Sequence, residues 1–205
     1  MTYQYPEHFK YPDERIFFKD HIDLWEDFLG HLKTKPNITL EIGALYGGSS
    51  VYILEEYCKY EGSHHYIVDI NTNEFIENNI DPYTGKVSYL LGESADAFKV
   101  LEHNGETKEF LDLVYIDGNH MSKYVLEDAV NSFYCLKDGG YLVFDDYGGG
   151  WEQPKHMQVK TAADAFMIAY ENNFKVLYKG YQLVLQKTTY INIEEFKENY
   201  YKEIS

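Results

Sequence analysis

The sequence is poor in cationic side chains and lacks long apolar runs. Lys and Arg together number 18 among 205 residues, against 34 Asp and Glu, and the formal net charge is −16. Such a surface repels the phosphate backbone of nucleic acids and anionic membranes, so we expect neither as a partner. No run of 18 apolar residues occurs, and the first residues do not resemble a secretory signal. We therefore expect a cytoplasmic protein without a membrane-spanning segment.

Cysteine is also scarce. The chain has two, Cys58 and Cys135, and they do not form a C-x-x-C pair. Each falls in a predicted apolar helix, where we expect a reduced core residue. The hydrophobic fraction of 44% is typical of a globular protein, and the length suits one compact domain with a sizeable core.

Two apolar runs end on carboxylates. Residues 111–116 are followed by Asp117, and residues 140–144 are followed by Asp145 and Asp146. A helical stretch at about 123–136 and a Gly-Gly turn separate the runs, which predicts two parallel neighbouring strands. The three carboxylates would then converge at the carboxyl edge of the sheet, where ligands bind in open α/β folds. Clustered carboxylates repel one another unless a cation lies among them, so the pattern favours a hard divalent metal.

A glycine-rich loop follows the first predicted strand, residues 38–42. Its pattern, acid-x-Gly-x-x-x-Gly-x-Ser, is formed by Glu41, Gly43, Gly47 and Ser49. The loop lacks the second glycine of G-x-G-x-x-G, and no G-K-S/T of a phosphate-binding loop occurs. Asp69 ends the second strand, where an acid can bond both hydroxyls of a ribose. Together these features indicate an adenosine-type cofactor without a pyrophosphate, although strand–helix packing and a simple helix cap are alternatives for the loop and for Asp69.

The remaining pattern predicts the fold class. Strands at 38–42, 65–68, 86–91, 111–116 and 140–144 alternate with helices, and 174–178 and 181–186 read as two strands joined by Lys179-Gly180. A two-residue link means an antiparallel hairpin. We expect an α/β, Rossmann-like seven-stranded sheet, with five parallel strands plus a C-terminal antiparallel hairpin and helices on both faces. One domain is expected over 1–205, with an N-terminal aromatic segment and helix at 1–36, a core at 38–187 and a tail at 188–205.

Two smaller features leave alternatives open. Apolar residues recur at helical spacing between His21 and Leu32, and this helix either packs against the main core or forms a lid over the edge of the sheet. Glu93 and Ser94 follow the third strand and either reach an adenine or cap the helix that begins at Ala95.

The motifs LEIGALYGGSS, YIVDI, GESADAF, VYIDGNH and FDDY resemble those of class I S-adenosylmethionine-dependent methyltransferases. More narrowly, the chain is similar over about 38–187 to metal-dependent O-methyltransferases of the macrocin (sugar) type, with catechol O-methyltransferase a more distant relative. The resemblance implies S-adenosylmethionine and Mg²⁺, or another divalent cation, as cofactors. It assigns cofactor contacts to Glu41, Gly43, Ala44, Gly47, Ser49, Asp69, Glu93, Ser94 and Asp117, and the metal to Asp117, Asp145 and Asp146.

His120, three residues after Asp117, would be the general base of that family. An imidazole suits proton abstraction near neutral pH; a turn histidine and a metal ligand are the alternative readings. The implied activity is O-methylation of a small hydroxylated acceptor, such as a sugar or another vicinal diol. A catalytically silent cofactor-binding module that supports a partner, or a hydroxylase-like enzyme on the same core, are the rival functions. The aromatic ends of the chain are also compatible with a homo-oligomer.

Overall fold

The computed structural model describes residues 3–12, 16–103 and 108–188. It contains seven strands: β1 (Ile38–Ile42), β2 (His64–Asp69), β3 (Val87–Leu91), β4 (Leu111–Ile116), β5 (Leu136–Phe144), β6 (Phe174–Lys179) and β7 (Leu183–Lys187). The helices are α1 (Ile22–Leu29), α2 (Gly48–Glu56), α3 (Glu74–Ile80), α4 (Ser94–His103), α5 (Ser122–Cys135) and α6 (Val159–Ala169). Short 3-10 turns flank α1 and follow α3. The charged tail from Ile191, for which the sequence predicts a helix, lies outside the described residues.

The strands form one sheet in the order β3-β2-β1-β4-β5-β7-β6. β1 to β5 are parallel, whereas β7 runs antiparallel to both β5 and β6. This arrangement confirms the predicted seven-stranded sheet with its antiparallel hairpin. The predicted two-residue link of that hairpin is wrong, because β6 continues through Lys179 and the connection is Gly180, Tyr181 and Gln182.

The sheet separates two apolar layers. Side chains alternate along a strand, so Leu113 and Tyr115 of β4 face one layer and Val114 and Ile116 face the other. Helices α1, α2 and α3 cover the first face, and α4, α5 and α6 cover the second. The helices therefore lie on both faces, as predicted, and leave the carboxyl edge of the parallel strands open.

The amphipathic N-terminal helix packs against the core, which confirms the first of its two readings. Trp25 and Leu29 of α1 are completely buried. The Trp25 ring lies parallel to the ring of Tyr57 and edge-on to that of Tyr115, with centroids 6.1 and 5.1 Å away. This contact brings the start of α1 beside the end of β4.

Two local expectations need correction. The Gly-Gly turn lies inside β5, where Gly139 has a φ of +79° and the register against β4 shifts between Leu111 and Leu113. Cys58 lies beyond the end of α2 rather than within it, and is buried, whereas Cys135 ends α5 and is half-buried. Both thiols are free. Among the described residues, no helix is long and apolar enough to cross a membrane.

Candidate functional site

A cavity of about 1380 Å³ opens along the carboxyl edge of the parallel strands. Every one of the five parallel strands contributes residues at or just beyond its end. The lining includes Gly43 and Ala44 after β1, Asp69 at the end of β2, Glu93 and Ser94 after β3, Asp117 and His120 after β4, and Asp145 and Asp146 after β5. Ser49 of α2 also lines it. Two of the sequence-predicted residues, Glu41 and Gly47, are not part of the wall.

The glycine loop is shaped by its contact with the neighbouring strand. Gly43 has a φ of +88°, and a Cβ built there would lie 2.2 Å from the backbone oxygen of Asp117. Gly47 has a φ of +83°, in the left-handed region that favours glycine, and directly precedes α2. Gly43 therefore allows the loop to approach the end of β4, and the loop and Asp117 form one continuous wall.

Glu41 lies beneath this wall rather than in it. The side chain is completely buried, and its carboxylate accepts hydrogen bonds from the hydroxyls of Ser49 and Ser50. His65 Nε2 lies 3.3 Å from the same carboxylate, and His65 Nδ1 is 2.8 Å from the Thr39 hydroxyl. An anion beside the first turn of a helix is stabilised by the helix dipole. Glu41 thus ties β1 to the start of α2, and its contact with a cofactor stays a prediction.

Asp69 presents an oriented carboxylate to the cavity. Its Oδ2 accepts from the backbone N–H groups of Ala44 and Leu45, at 2.9 and 3.3 Å, and Oδ1 accepts from Asn71 N at 3.0 Å.

The part of the wall that follows β3 contains a contact that the sequence does not predict. The Ser94 hydroxyl donates to Asp128 of α5, a buried acid that lines the cavity. Ser94 therefore has a partner other than the two that the sequence offered.

The acids at the ends of β4 and β5 lie close enough to interact strongly. Burial, and then the charges of Asp145 and Asp146, raise the pKa of Asp117 well above its ordinary value. The buried Tyr115 hydroxyl donates to Asp117 Oδ2 at 3.2 Å. Burial raises the pKa of Tyr115 as well, and the neighbouring Asp117 adds to that effect. The convergence of these carboxylates, which the sequence predicts, is therefore present in the structure.

The link between β6 and β7 holds both aspartates that follow β5. Gln182 Nε2 donates to Asp145 Oδ1 at 2.8 Å, and the Tyr181 hydroxyl donates to Asp146. This bond to Asp146 is the main cause that raises the pKa of Tyr181. His21, from the turn before α1, lies with Nε2 3.7 Å from Asp145 Oδ1, and its ring stacks on that of Tyr181.

One group of side chains has the geometry of a cation site. Ligand atoms of Asp117, His120 and Asp146 lie within 4.8 Å of one another, and His120 Nε2 is 3.1 Å from Asp146 Oδ2. Carboxylate oxygens suit hard divalent cations, and an imidazole extends the range to transition metals. Asp145 lies next to this group, because its charge is one of the causes that raise the pKa of Asp117. The donor chemistry fits a divalent cation.

Sequence reasoning missed His21, Asp128, Tyr181 and Gln182, all of which line the cavity. His21, Tyr181 and Gln182 reach the edge of the sheet from the two ends of the chain, Asp128 reaches it from α5, and none belongs to a local motif. Tyr181 and Gln182 lie in the hairpin link, but the sequence pattern predicts a strand at 181–186. The pattern therefore gave no indication that these two side chains reach the site.

Comparison with known proteins identifies the family. The family described as a methyltransferase domain matches residues 40–147, just over half of the chain. No curated protein matches the sequence.

Solved structures of similar fold include three methyltransferases. The MycE methyltransferase of the mycinamycin biosynthetic pathway, in complex with Mg, SAH and mycinamycin VI, is 17% identical with a TM-score of 0.61 over 86% of this chain. This chain spans 50% of the MycE chain. An O-methyltransferase from Bacillus cereus in complex with SAH is 15% identical, with a TM-score of 0.64 over 90% of this chain and 84% of that one. CalS11, a TDP-rhamnose 3'-O-methyltransferase of calicheamicin biosynthesis, is 15% identical, with a TM-score of 0.61 over 83% and 80%. At these identities the likeness concerns the fold.

Proposed function

This chain belongs to the methyltransferase-domain family, and we propose that it is an S-adenosylmethionine-dependent and divalent-cation-dependent O-methyltransferase of a small hydroxylated acceptor. The observation that carries the proposal is one cavity that extends from Asp69 and the glycine loop to Asp117, His120 and Asp146. Pockets for one small ligand measure about 300–1,000 Å³. The larger volume here, about 1380 Å³, supports a cofactor and an acceptor side by side.

The cofactor would occupy the end of the cavity near β1 and β2. Asp69 would accept hydrogen bonds from ribose hydroxyls, and its three backbone N–H donors already hold it in one orientation. Positive φ at Gly43 and Gly47 gives the loop its turns, and the absence of a Cβ at Gly43 lets the loop lie against the end of β4. We call the end of the cavity that is lined by Asp117, Asp145 and Asp146 its acidic half. S-adenosylmethionine would supply an electrophilic methyl group at the junction with this acidic half.

The acceptor would lie over the acidic half. Asp117, Asp145 and Asp146 would hold a divalent cation, which lowers the pKa of a hydroxyl and orients it when bound. His120 takes the hydroxyl proton on its ring, and Asp146 Oδ2, 3.1 Å from Nε2, stabilises the imidazolium that results. Tyr181, Gln182 and His21 hold the aspartates in place. MycE is described as a complex with Mg, SAH and mycinamycin VI, which supports a cation and a small-molecule acceptor.

The negative charge of the cavity lining limits the kinds of acceptor that can bind. Eight carboxyl groups face the cavity: Asp20, Asp69, Glu93, Asp117, Glu127, Asp128, Asp145 and Asp146. Lys123 is the one lysine among the described residues of the wall. Like charges repel in a partly desolvated cleft, so we propose an uncharged polyol, glycoside or catechol rather than a phosphorylated acceptor.

Binding of the demethylated cofactor is the first test. Calorimetry with S-adenosylhomocysteine should show binding to the metal-free protein, and Asp69→Ala should weaken it by roughly 1–3 kcal/mol, the usual effect of losing hydrogen bonds to a charged group. Transfer of a labelled methyl group to a panel of diols then distinguishes an enzyme from a silent module, which would bind without turnover. Wild-type protein that shows no heat at millimolar ligand would refute the cofactor assignment.

Dependence on a cation is the second test. Chelation should abolish transfer and Mg²⁺ or Mn²⁺ should restore it. Asp146→Asn should remove most activity and leave S-adenosylhomocysteine affinity nearly unchanged, because Asn tolerates the φ of +50° at this position. Asp138→Asn, at an exposed acid of β5 remote from the cavity, is the matched control. Full activity after exhaustive chelation would contradict the role of the cation.

The third test separates the two roles of His120. If it is the base, His120→Ala should lower turnover by about 10²–10⁴-fold with little change in Mn²⁺ affinity. If Mn²⁺ affinity falls in proportion to turnover, His120 is a ligand instead. His156→Ala removes an exposed histidine that does not line the cavity, and should match the wild type in both measurements.

A further inference from the structure

The most connected polar side chain of the acidic half is Gln182, which is completely buried. Its amide contacts three separate parts of the fold. Oε1 accepts from Trp25 Nε1 of α1 at 2.9 Å, and Nε2 donates to Asp145 Oδ1 at 2.8 Å. Nε2 also lies 3.4 Å from the Tyr115 hydroxyl of β4. A buried amide with bonds on both of its ends has one orientation.

Trp25 determines that orientation. An indole N–H donates and cannot accept, so the Gln182 oxygen must face Trp25. The NH₂ group must then face Asp145 and Tyr115. Rotation of the amide by 180° would place two donors against each other and the amide oxygen against a carboxylate, and would leave buried polar groups without partners.

The same NH₂ group reaches two of the acids. It binds Asp145 directly, and it contacts Tyr115, whose hydroxyl donates to Asp117 Oδ2 at 3.2 Å. An amide offers N–H donors without a positive charge. It can therefore hold carboxylates that would otherwise rotate away from one another, while leaving their negative charge available to a cation.

We propose that Gln182, oriented by Trp25, is a positioning residue that sets the affinity of the acidic cluster for a divalent cation. The inference rests on the proposed function, since it concerns the same cluster. Groups that hydrogen-bond to metal ligands typically change metal affinity by about 10–100-fold when they are replaced. Gln182 belongs to no sequence motif. It lies in the hairpin link, and its amide is held by Trp25 of α1, near the other end of the chain.

The experiment measures Mn²⁺ affinity by electron paramagnetic resonance, together with S-adenosylhomocysteine affinity by calorimetry and unfolding by urea. Gln182→Met keeps the length of the side chain and removes its hydrogen bonds. Trp25→Phe keeps one aromatic ring and removes the N–H donor together with part of the buried indole, so its urea unfolding reports the packing loss separately. Gln186→Met, at a residue of β7 that bonds Tyr141 and Gly139, removes the same amide away from the acids and is the matched control.

We expect Gln182→Met to weaken Mn²⁺ binding by about tenfold or more without changing S-adenosylhomocysteine affinity. Trp25→Phe should weaken it by a smaller factor, and the double variant should be no weaker than Gln182→Met, because both act through one amide. Mn²⁺ affinity within twofold of the wild type in folded Gln182→Met would overturn the proposal, as would an equal loss in Gln186→Met. If Gln182→Met does not fold, unchanged Mn²⁺ affinity in Trp25→Phe overturns it. Absence of Mn²⁺ binding by the wild type would instead refute the cation of the proposed function, and this inference with it.

Discussion

Asp128 should make the free energy of unfolding depend on pH, and a single substitution at this residue can isolate the effect. It is 2% exposed in the wall of the cavity, and the neutral Ser94 hydroxyl donates a hydrogen bond to its carboxyl group. Burial raises its pKa from 3.8 to about 6, and the neighbouring Glu127 adds to the effect. The folded state therefore binds this proton more tightly than the unfolded state. Stability from this group is fully present below pH 3.8 and is lost as pH rises through 6.

The magnitude follows from the two pKa values. At about 1.36 kcal/mol for each pH unit, ionised Asp128 costs roughly 3 kcal/mol of folding free energy at pH 7.5. About 2 kcal/mol of this cost should develop between pH 4.5 and 7.5. Asp128→Asn keeps an oxygen that can accept from Ser94 and cannot ionise. The substitution should therefore raise the free energy of unfolding at pH 7.5 by up to roughly 3 kcal/mol, and by much less at pH 4.5.

Urea unfolding of wild type and Asp128→Asn at both pH values tests this prediction. The difference between the two proteins isolates Asp128, because every other titrating group is shared. Asp96→Asn replaces an exposed acid of α4, whose side chain is 71% accessible and pairs with that of Lys99, and is the matched surface control. A stability difference for Asp128→Asn that is the same at pH 4.5 and 7.5 would show that Asp128 is ionised when folded, and the reasoning from its burial would fail.

Three further outcomes are expected from the same geometry. Gly43→Ala should destabilise the protein by roughly 2–4 kcal/mol in urea unfolding, because its Cβ would meet the backbone of Asp117 at 2.2 Å and its φ is +88°. Glu41→Gln should cost about 1–3 kcal/mol in the same assay, since hydrogen bonds to a buried charge are weakened. Burial raises the pKa of the Cys58 thiol to about 11, so at pH 8 iodoacetamide should label half-buried Cys135 first and Cys58 only after unfolding.

Local sequence pattern was sufficient for the order of the strands, for the bounds of β1 and β4, and for the acids that follow β4 and β5. β1 and β4 begin and end where the apolar runs do, because Gly43 ends the first run and Asp117 ends the second. Helix α2 starts at Gly48, about three residues before its apolar periodicity begins, because Gly47 turns the chain in the left-handed region and Ser49 and Ser50 bond Glu41. Periodicity cannot show such an early start, since it reports apolar side chains alone.

The same limit explains why the residues that orient the acidic side chains were not predicted. Trp25 and Gln182 are 157 residues apart in the chain, and their contact depends on how α1 and the β6–β7 link meet over the end of β4. The hairpin link, in turn, reaches Asp145 and Asp146 only because β7 is inserted between β5 and β6. Residues that bear charge at strand ends follow from local pattern, but the neutral groups that orient them follow from topology. Substitutions in the link should therefore alter the chemistry of the cluster even though no motif includes them.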